Sequence, residues 1–276
     1  MRRQGGAWLL AAPALLLLAI FYLAPLSQVL WISVTEPRPG LGNYALLIDN
    51  AGVKRVLWTT FRIGVITTLI SVALAYMVAY AMLHATPRQR QVAFVFVLLP
   101  FWISVLVRAF AWVALLRSGG IINTLLRDVG LIDRPLALIY NEIGVVIGMV
   151  HYMTPMAVLT LFANMQGIDR RLVAAARGLG ASRREAFWRV FLPLSLPGIV
   201  AAGILVFIFS LGFYITPAIL GGGKTLMVAE YISIMITETL NWGTGTMMAS
   251  TLMIAVLALL AILSRIVDLR RLFGAA

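Results

Sequence analysis

The chain has 276 residues, of which 62% are hydrophobic and 12% are charged, and its mean hydropathy is +0.98. This composition excludes an ordinary soluble domain, in which about a quarter of the residues are charged, and it predicts an integral membrane protein. The net charge of +12 does not indicate a nucleic-acid partner, because the basic residues are divided among short segments and no soluble domain presents them.

Six apolar stretches are each long enough to cross a membrane, which takes about 20 helical residues. In chain order they are Trp8–Ile32, Trp58–Leu83, Val92–Leu116, Ala137–Phe162, Leu196–Leu220 and Met247–Val267. The sequence therefore predicts an all-α integral membrane protein with six transmembrane helices in a single domain over residues 1–276. The first stretch is too long for a signal peptide and predicts an uncleaved helix.

The distribution of lysine and arginine predicts the orientation, because cytoplasmic segments of membrane proteins are enriched in these residues. If both termini are cytoplasmic, that side holds most of the 22 basic residues of the chain. They are Arg2, Arg3, Arg88, Arg90, Arg265, Arg270, Arg271 and the six arginines of a polar segment between the fourth and fifth helices. We therefore predict a multi-pass protein with both termini in the cytoplasm.

Two arginines fall inside predicted spans: Arg62 in the second and Arg108 in the third. An arginine at the centre of a bilayer costs at least about 2.5 kcal/mol on the insertion scale, so each should face protein, water or headgroups. Both are candidates for the translocation path. For Arg62 the alternative is a side chain that reaches the outer headgroups, and for Arg108 it is a structural role.

The fourth and fifth predicted helices carry residues typical of helix contacts and helix breaks. Gly144 and Gly148 have the spacing of a close helix–helix contact. Pro217 and the three glycines after Leu220 are expected to break helix five, and broken helices in membranes expose polar groups where they line a cavity. Tyr214, Thr216 and Pro217 are therefore candidate path residues. Glu230 and Glu238 follow in a short helical stretch, which we expect to be solvated or able to attract a cation.

Residues 164–193 form the longest run that lipid cannot cover. Asp169 can cap a short helix that ends near Gly178 and Gly180, and Ser182 with Glu185 is a capping-box signature for a second helix ending at Pro193. The segment therefore predicts two short helices between two membrane spans. Without further pattern it could equally be an ordinary arginine-rich cytoplasmic loop.

The order of small residues in this segment resembles the EAA loop of ABC importer permeases. The family pattern is Glu-Ala-Ala, three residues, Gly, nine residues, Ile, one residue and Leu-Pro. Here Ala174-Ala175-Ala176, Gly180, Val190 and Leu192-Pro193 have the same spacing. Ala174 stands where the family usually has Glu, which removes any salt bridge or cap that the glutamate would supply. The stretch from Phe213 to Gly222 also resembles permeases of the spermidine/putrescine group.

The resemblance implies a MetI-like permease with a cytoplasmic coupling helix in loop 164–193, which seats on a separate ATPase. The ATPase-coupling residues that it implies are Arg171, Ala174, Ala175, Ala176, Gly180, Ser182, Glu185, Leu192 and Pro193. It also implies an ABC ATPase dimer that binds ATP and Mg²⁺, a second permease subunit and an extracytoplasmic solute-binding protein in a bacterial inner membrane. The chain itself is expected to bind no cofactor, metal or nucleic acid, only membrane lipid and these partners.

The sequence bears on three classes of function. The leading one is the permease subunit of an ATP-driven importer, with a polyamine as the solute or alternatively an amino-acid-like, opine or anionic solute. A stand-alone secondary transporter or channel is the alternative, but ion coupling usually leaves carboxylates inside the spans. An enzyme is not expected, because no His/Asp/Glu cluster is visible and cysteine is absent. Gly223-Lys224-Thr225 is not a phosphate loop, since Ala218 stands where that motif needs glycine.

Overall fold

A computed structural model describes residues 12–266, and within that range the chain forms helices and no strands. Both termini, with Arg2, Arg3, Arg270 and Arg271, lie outside the described residues. The helices are α1 Ala12–Thr35, α2 Gly42–Asp49, α3 Ala51–His84, α4 Pro87–Trp102, α5 Val105–Leu116, α6 Ile121–Asp128, α7 Glu142–Gln166, α8 Arg170–Gly178, α9 Arg183–Leu211, α10 Ile215–Gly221, α11 Val228–Thr237 and α12 Trp242–Ile266.

Six helical stretches in the described part of the chain are long and apolar enough to cross a membrane. They are α1, α3, the stretch Val105–Asp128 that joins α5 and α6 across a turn, α7, α9 and most of α12. The prediction of an all-α membrane protein with six spans is therefore confirmed, although the boundaries of several spans differ from the predicted ones.

The third predicted span, Val92–Leu116, is not one continuous helix. Helix α4 ends at Trp102 and α5 begins at Val105, because Ile103 has the extended conformation with φ −90° and ψ 131°. Pro100 lies inside the last turns of α4 and supplies no N–H to the helix. The guanidinium of Arg108 donates to the Ile103 carbonyl at 3.3 Å, which satisfies one carbonyl at the break.

The predicted end of the second loop helix at Pro193 is wrong. Helix α9 continues through Pro193 to Leu211 as one of the spanning stretches. A π turn at Phe187–Phe191 precedes the proline, and the Leu192 amide reaches back to the Phe187 carbonyl. The wider turn accommodates the irregularity, so the loop helix and the fifth span form one helix.

Helix five also breaks earlier than predicted. Helix α9 ends at Leu211, and Gly212 is its C-terminal cap. Pro217 lies in the first turn of α10, where its missing N–H has no helical acceptor and costs nothing. Helix α10 ends at Gly221 and is capped by Gly222, whose φ of +56° favours glycine.

The chain divides into two compact units. The first contains residues 1–56 and 231–258, and the second contains residues 57–230 and 259–276. In the first unit, the Asn43 amide holds the turn after α1 by donating to the carbonyls of Ser33 at 3.0 Å and Glu36 at 2.6 Å. Apart from Glu238, every residue described below lies in the second unit. A single permease domain over 1–276 stays a prediction.

The core of the second unit is formed where α7 packs against α9 and α10. Met153, Ala157 and Leu161 of α7 are fully buried against α9. A Cβ on Gly198 of α9 would lie 2.5 Å from Oδ1 and 2.7 Å from Cβ of Asn164. At the other end of α7, a Cβ on Gly148 would overlap Leu220 and Thr216 of α10, which agrees with the predicted close contact at this glycine.

Replacement of Gly198 by alanine should lower the stability of the α7–α9 contact by about 1–3 kcal/mol, because the new methyl group overlaps the Asn164 side chain near its root. Gly203→Ala on the same helix is the matched control, since its Cβ meets only Thr68 at 3.9 Å. Melting temperatures of both variants in one detergent measure the difference. Equal melting temperatures would contradict the close contact.

Helix α11 buries a carboxylate that the sequence analysis expected to be solvated. Glu230 is only 7% exposed, and its Oε2 accepts no hydrogen bond within the described residues. The first turn of α11 is held in the interior because the Val228 amide donates to the Thr60 hydroxyl at 2.8 Å. Burial raises the pKa of Glu230 from 4.5 to about 7, because the charged carboxylate loses its water.

This shift predicts a pH-dependent stability. The folded state holds the Glu230 proton more tightly than the unfolded state, so the contribution of Glu230 to stability is greatest below pH 4.5 and is lost as the pH rises to about 7. Glu230→Gln should flatten the change of melting temperature between pH 5 and pH 8. Glu238→Gln, at an exposed position of the same segment, should leave it as in the wild type. Identical profiles for both variants would refute the shift.

Candidate functional site

Loop 164–193 folds into two capped helices, as the sequence predicts. The Asp169 side chain accepts from the Arg171 amide at 2.9 Å and begins α8. The Ser182 hydroxyl accepts from the Glu185 amide at 3.2 Å, and the Glu185 carboxylate accepts from the Ser182 amide at 2.9 Å. This reciprocal pair satisfies two amides that the first turn of α9 would otherwise leave open.

A glycine makes the turn between the two helices possible. Gly180 has φ +94°, where any side chain would be strained, while Gly178 ends α8 with ordinary helical geometry and open space around it. Leu179 between them is 91% exposed. The turn therefore presents an apolar side chain to the outside.

Helix α8 has two different faces. Val173 packs on the hydrophobic core of the bundle, and Ala176 is half-buried beside it. Leu172, Ala175 and Leu179 share the opposite side at spacings of three, four and seven residues, and all are exposed. Arg171 is exposed as well, and Ala174 is exposed on the side of a cavity described next.

The inner face of α8 covers a cavity of about 480 Å³ at the end of α3. Arg170 of α8 donates to the Leu83 carbonyl at 3.1 Å, and Arg90 of α4 donates to the Met82 carbonyl at 3.0 Å, so both arginines cap the last turn of α3. Tyr80 and the rings of α9 form the apolar wall. The cavity was not visible from the sequence, since its walls combine α8 and α9 with the end of α3, which lies far away in the chain.

Leu192 and Pro193 do not end a helix but lie within α9, where Leu192 is half-buried and Pro193 is exposed. One turn later, Ser195 forms a 3.0 Å hydrogen bond with the hydroxyl of Tyr76 on α3. This bond ties α9 to the long helix α3 immediately after the loop. No sequence pattern indicated Tyr76, because only the fold brings the two residues together.

Both intramembrane arginines contact groups of their own chain. Arg62 forms a half-exposed ion pair with Glu142, which the sequence analysis did not single out although it lies in the first turn of α7. Arg108 is 8% exposed, and its guanidinium carbon lies 4.7 Å from the centre of the Tyr152 ring. Beside it, the half-buried His151 of α7 accepts a hydrogen bond from Trp112 of α5 at 3.2 Å, which links the two helices.

The three remaining path candidates lie at the break between α9 and α10. Tyr214 is 43% exposed, whereas Thr216 and Pro217 are buried. Thr216 packs against Gly148 of α7. In this conformation Tyr214 is therefore the member of the group that solvent or a solute can contact.

Comparison with known proteins agrees with this architecture. Residues 71–272 match the family described as binding-protein-dependent transport system inner membrane component. The spermidine/putrescine transport system permease protein PotB of Haemophilus influenzae is 34% identical over 237 residues, which cover 83% of this chain and 82% of that protein. PotB of Escherichia coli is 30% identical over 214 residues, which cover 78% of each chain.

A solved structure of a bacterial ABC transporter that imports the acidic polysaccharide alginate has the same fold. Its similarity to this chain has a TM-score of 0.76 and 17% identity and covers 96% of each chain. The fold is thus the MetI-like fold of ABC importer permeases. Six apolar helices and this family place the protein in the inner membrane as a multi-pass transport subunit rather than an enzyme. The chain belongs to the family of inner membrane components of binding-protein-dependent transport systems.

Proposed function

We propose that this chain is a permease subunit of an ATP-driven importer of polyamines such as spermidine and putrescine. The observation that carries the proposal is its similarity to two spermidine/putrescine permeases over most of its length. A family of binding-protein-dependent systems also disfavours a stand-alone secondary transporter or channel, because such a transporter needs no delivered solute.

The contacts of the arginines support a cationic rather than an anionic solute. Arg62 and Arg108 were the reason to consider an anionic solute. Glu142 neutralises Arg62, and Arg108 is 8% exposed and held against the Tyr152 ring, so neither guanidinium is open to a solute in this conformation. Pairing of Arg62 and burial of Arg108 reduce the repulsion that a polyamine would meet.

The exposed apolar face of α8 supports its use as the coupling helix. Leu172 and Leu179 point away from the bundle and offer an ATPase a surface to cover. In this arrangement ATP and Mg²⁺ bind to a dimeric ATPase, a second permease completes the path, and a binding protein delivers the solute on the opposite side. With α8 in the cytoplasm, both termini are cytoplasmic too. ATP binding then shifts the permease pair between two conformations by binding one of them more tightly.

Uptake of radiolabelled spermidine tests the substrate. The chain is expressed with its neighbouring transport genes in cells that lack their own polyamine uptake. We expect uptake that depends on the ATPase and is reduced by excess putrescine but not by an amino acid or an inorganic anion. If the complete system is in the membrane and an amino acid or an anion competes instead, the solute assignment is wrong.

Gly180→Val should disconnect ATP hydrolysis from uptake, because a β-branched residue at φ +94° is strained. A strain of about 1–2 kcal/mol would lower the docked population about 5- to 30-fold. Gly178→Val adds the same side chain to the same turn without the strained φ, and it should keep uptake within about twofold of the wild type. Recovery of the ATPase with the tagged chain reports docking separately. Normal docking and uptake in Gly180→Val would exclude the coupling role.

Tyr214→Ala should reduce transport by weakening the contact with the solute, and it should leave the ATPase bound, because Tyr214 lies at the far end of α9 from the loop. Loss of one aromatic contact to a cation would raise the apparent KM about 2- to 5-fold. Tyr214→Phe keeps the ring and should remain near the wild type. An unchanged KM in the alanine variant would remove Tyr214 from the path.

A further inference from the structure

We propose that the cavity behind α8 binds a phosphate-type anion, either the headgroup of an anionic phospholipid or a free phosphate. The cavity of about 480 Å³ is large enough for a phosphate group with part of a glycerol backbone. This site goes beyond the transport function and does not depend on which solute is imported.

The charges around the cavity have one sign. Arg170, Arg177 and Arg183 line it, and no acidic side chain does so among the described residues. No carboxylate in residues 12–266 lies within 4.0 Å of these guanidinium nitrogens. Arg170 is partly engaged by the Leu83 carbonyl, which leaves Arg177 and Arg183 as the main donors to an anion. Guanidinium groups bind phosphate oxygens in a bidentate fashion, so two of them form a suitable pair.

The position of the arginines on α8 argues against an ATPase as their partner. Arg170, Val173 and Arg177 are spaced by three and four residues and share the helix face that turns toward the bundle. Leu172 and Leu179 occupy the other face, which is the exposed one. A protein that covers the exposed leucines therefore leaves the cavity behind the helix.

The walls of the cavity suit a lipid. Tyr80, Phe187 and Phe191 provide aromatic surface, with Tyr80 packed edge-on against both phenylalanines at 5.3 and 5.2 Å between ring centres. The cavity lies where α3 ends and α9 begins, and both are spanning helices, so it lies at the level of the headgroups. Basic side chains at this level attract anionic lipids.

The test measures binding to the full-length chain, purified with its transport partners in a neutral detergent and stripped of lipid. Native mass spectrometry counts bound dioleoylphosphatidylglycerol, dioleoylphosphatidylcholine or inorganic phosphate, each titrated separately. The variant is Arg177→Gln with Arg183→Gln. Its matched control is Arg184→Gln with Arg189→Gln, which removes two exposed arginines of the same segment that do not line the cavity.

We expect the wild type and the control to bind phosphatidylglycerol at least about tenfold more tightly than the cavity variant. Tighter binding of phosphatidylglycerol than of both phosphatidylcholine and inorganic phosphate identifies a lipid headgroup as the ligand. Equally tight binding of inorganic phosphate identifies a free anion. If the glutamine pair melts below the wild type, Arg183→Gln alone is titrated instead, and weaker binding by it supports the site. Binding that is equal in the cavity variant and the wild type, or reduced equally in the control, overturns the proposal. The proposal is also overturned if the cavity variant loses the ATPase while its lipid binding is unchanged.

Discussion

The close contact between α7 and α9 determines the geometry of the rest of the second unit. Apolar helices gain little from association in a lipid that is as apolar as they are, so small residues that let backbones approach are the main source of specificity. Gly198 against Asn164 provides that approach here. The loop leaves the bundle from α7 and returns through α9, so the spacing of these two helices sets the position of α8. The position of the exposed face of α8 therefore depends on the contact between α7 and α9.

Four arginines near the membrane make contacts inside the chain. Arg62 pairs with Glu142, Arg108 closes a helix break and stacks on Tyr152, and Arg90 with Arg170 caps α3. Each of these contacts satisfies a group that would otherwise be costly to bury. At these four positions the positive charge is structural, whereas Arg177 and Arg183, which line the cavity behind α8, are the ones that suggest a ligand.

The sequence predicted the local features well and the long-range ones poorly. The caps at Asp169 and at Ser182 with Glu185, the turn at Gly180 and the number of spans depend on neighbouring residues, so they are readable from spacing alone. Whether Pro193 ends a helix depends on the π turn before it, and the break after Trp102 depends on a carbonyl that Arg108 satisfies. Glu142, Tyr76 and the cavity behind α8 could not be predicted, because their partners are far away in the chain. The burial of Glu230 could not be predicted either, because Thr60, which holds the start of α11 in the interior, is far away in the chain.

Helix α9 has a mechanical consequence. It runs without a break from Arg183 to Leu211, through two prolines, over 29 residues or about 43 Å. Its first turn is locked to the loop by a capping box, and its last turn adjoins the glycine before Tyr214. The π turn at Phe187–Phe191 and the prolines are the places where such a helix bends, but its backbone is continuous from the loop to Gly212. A displacement of the loop is therefore carried along α9 toward the segment beside Tyr214.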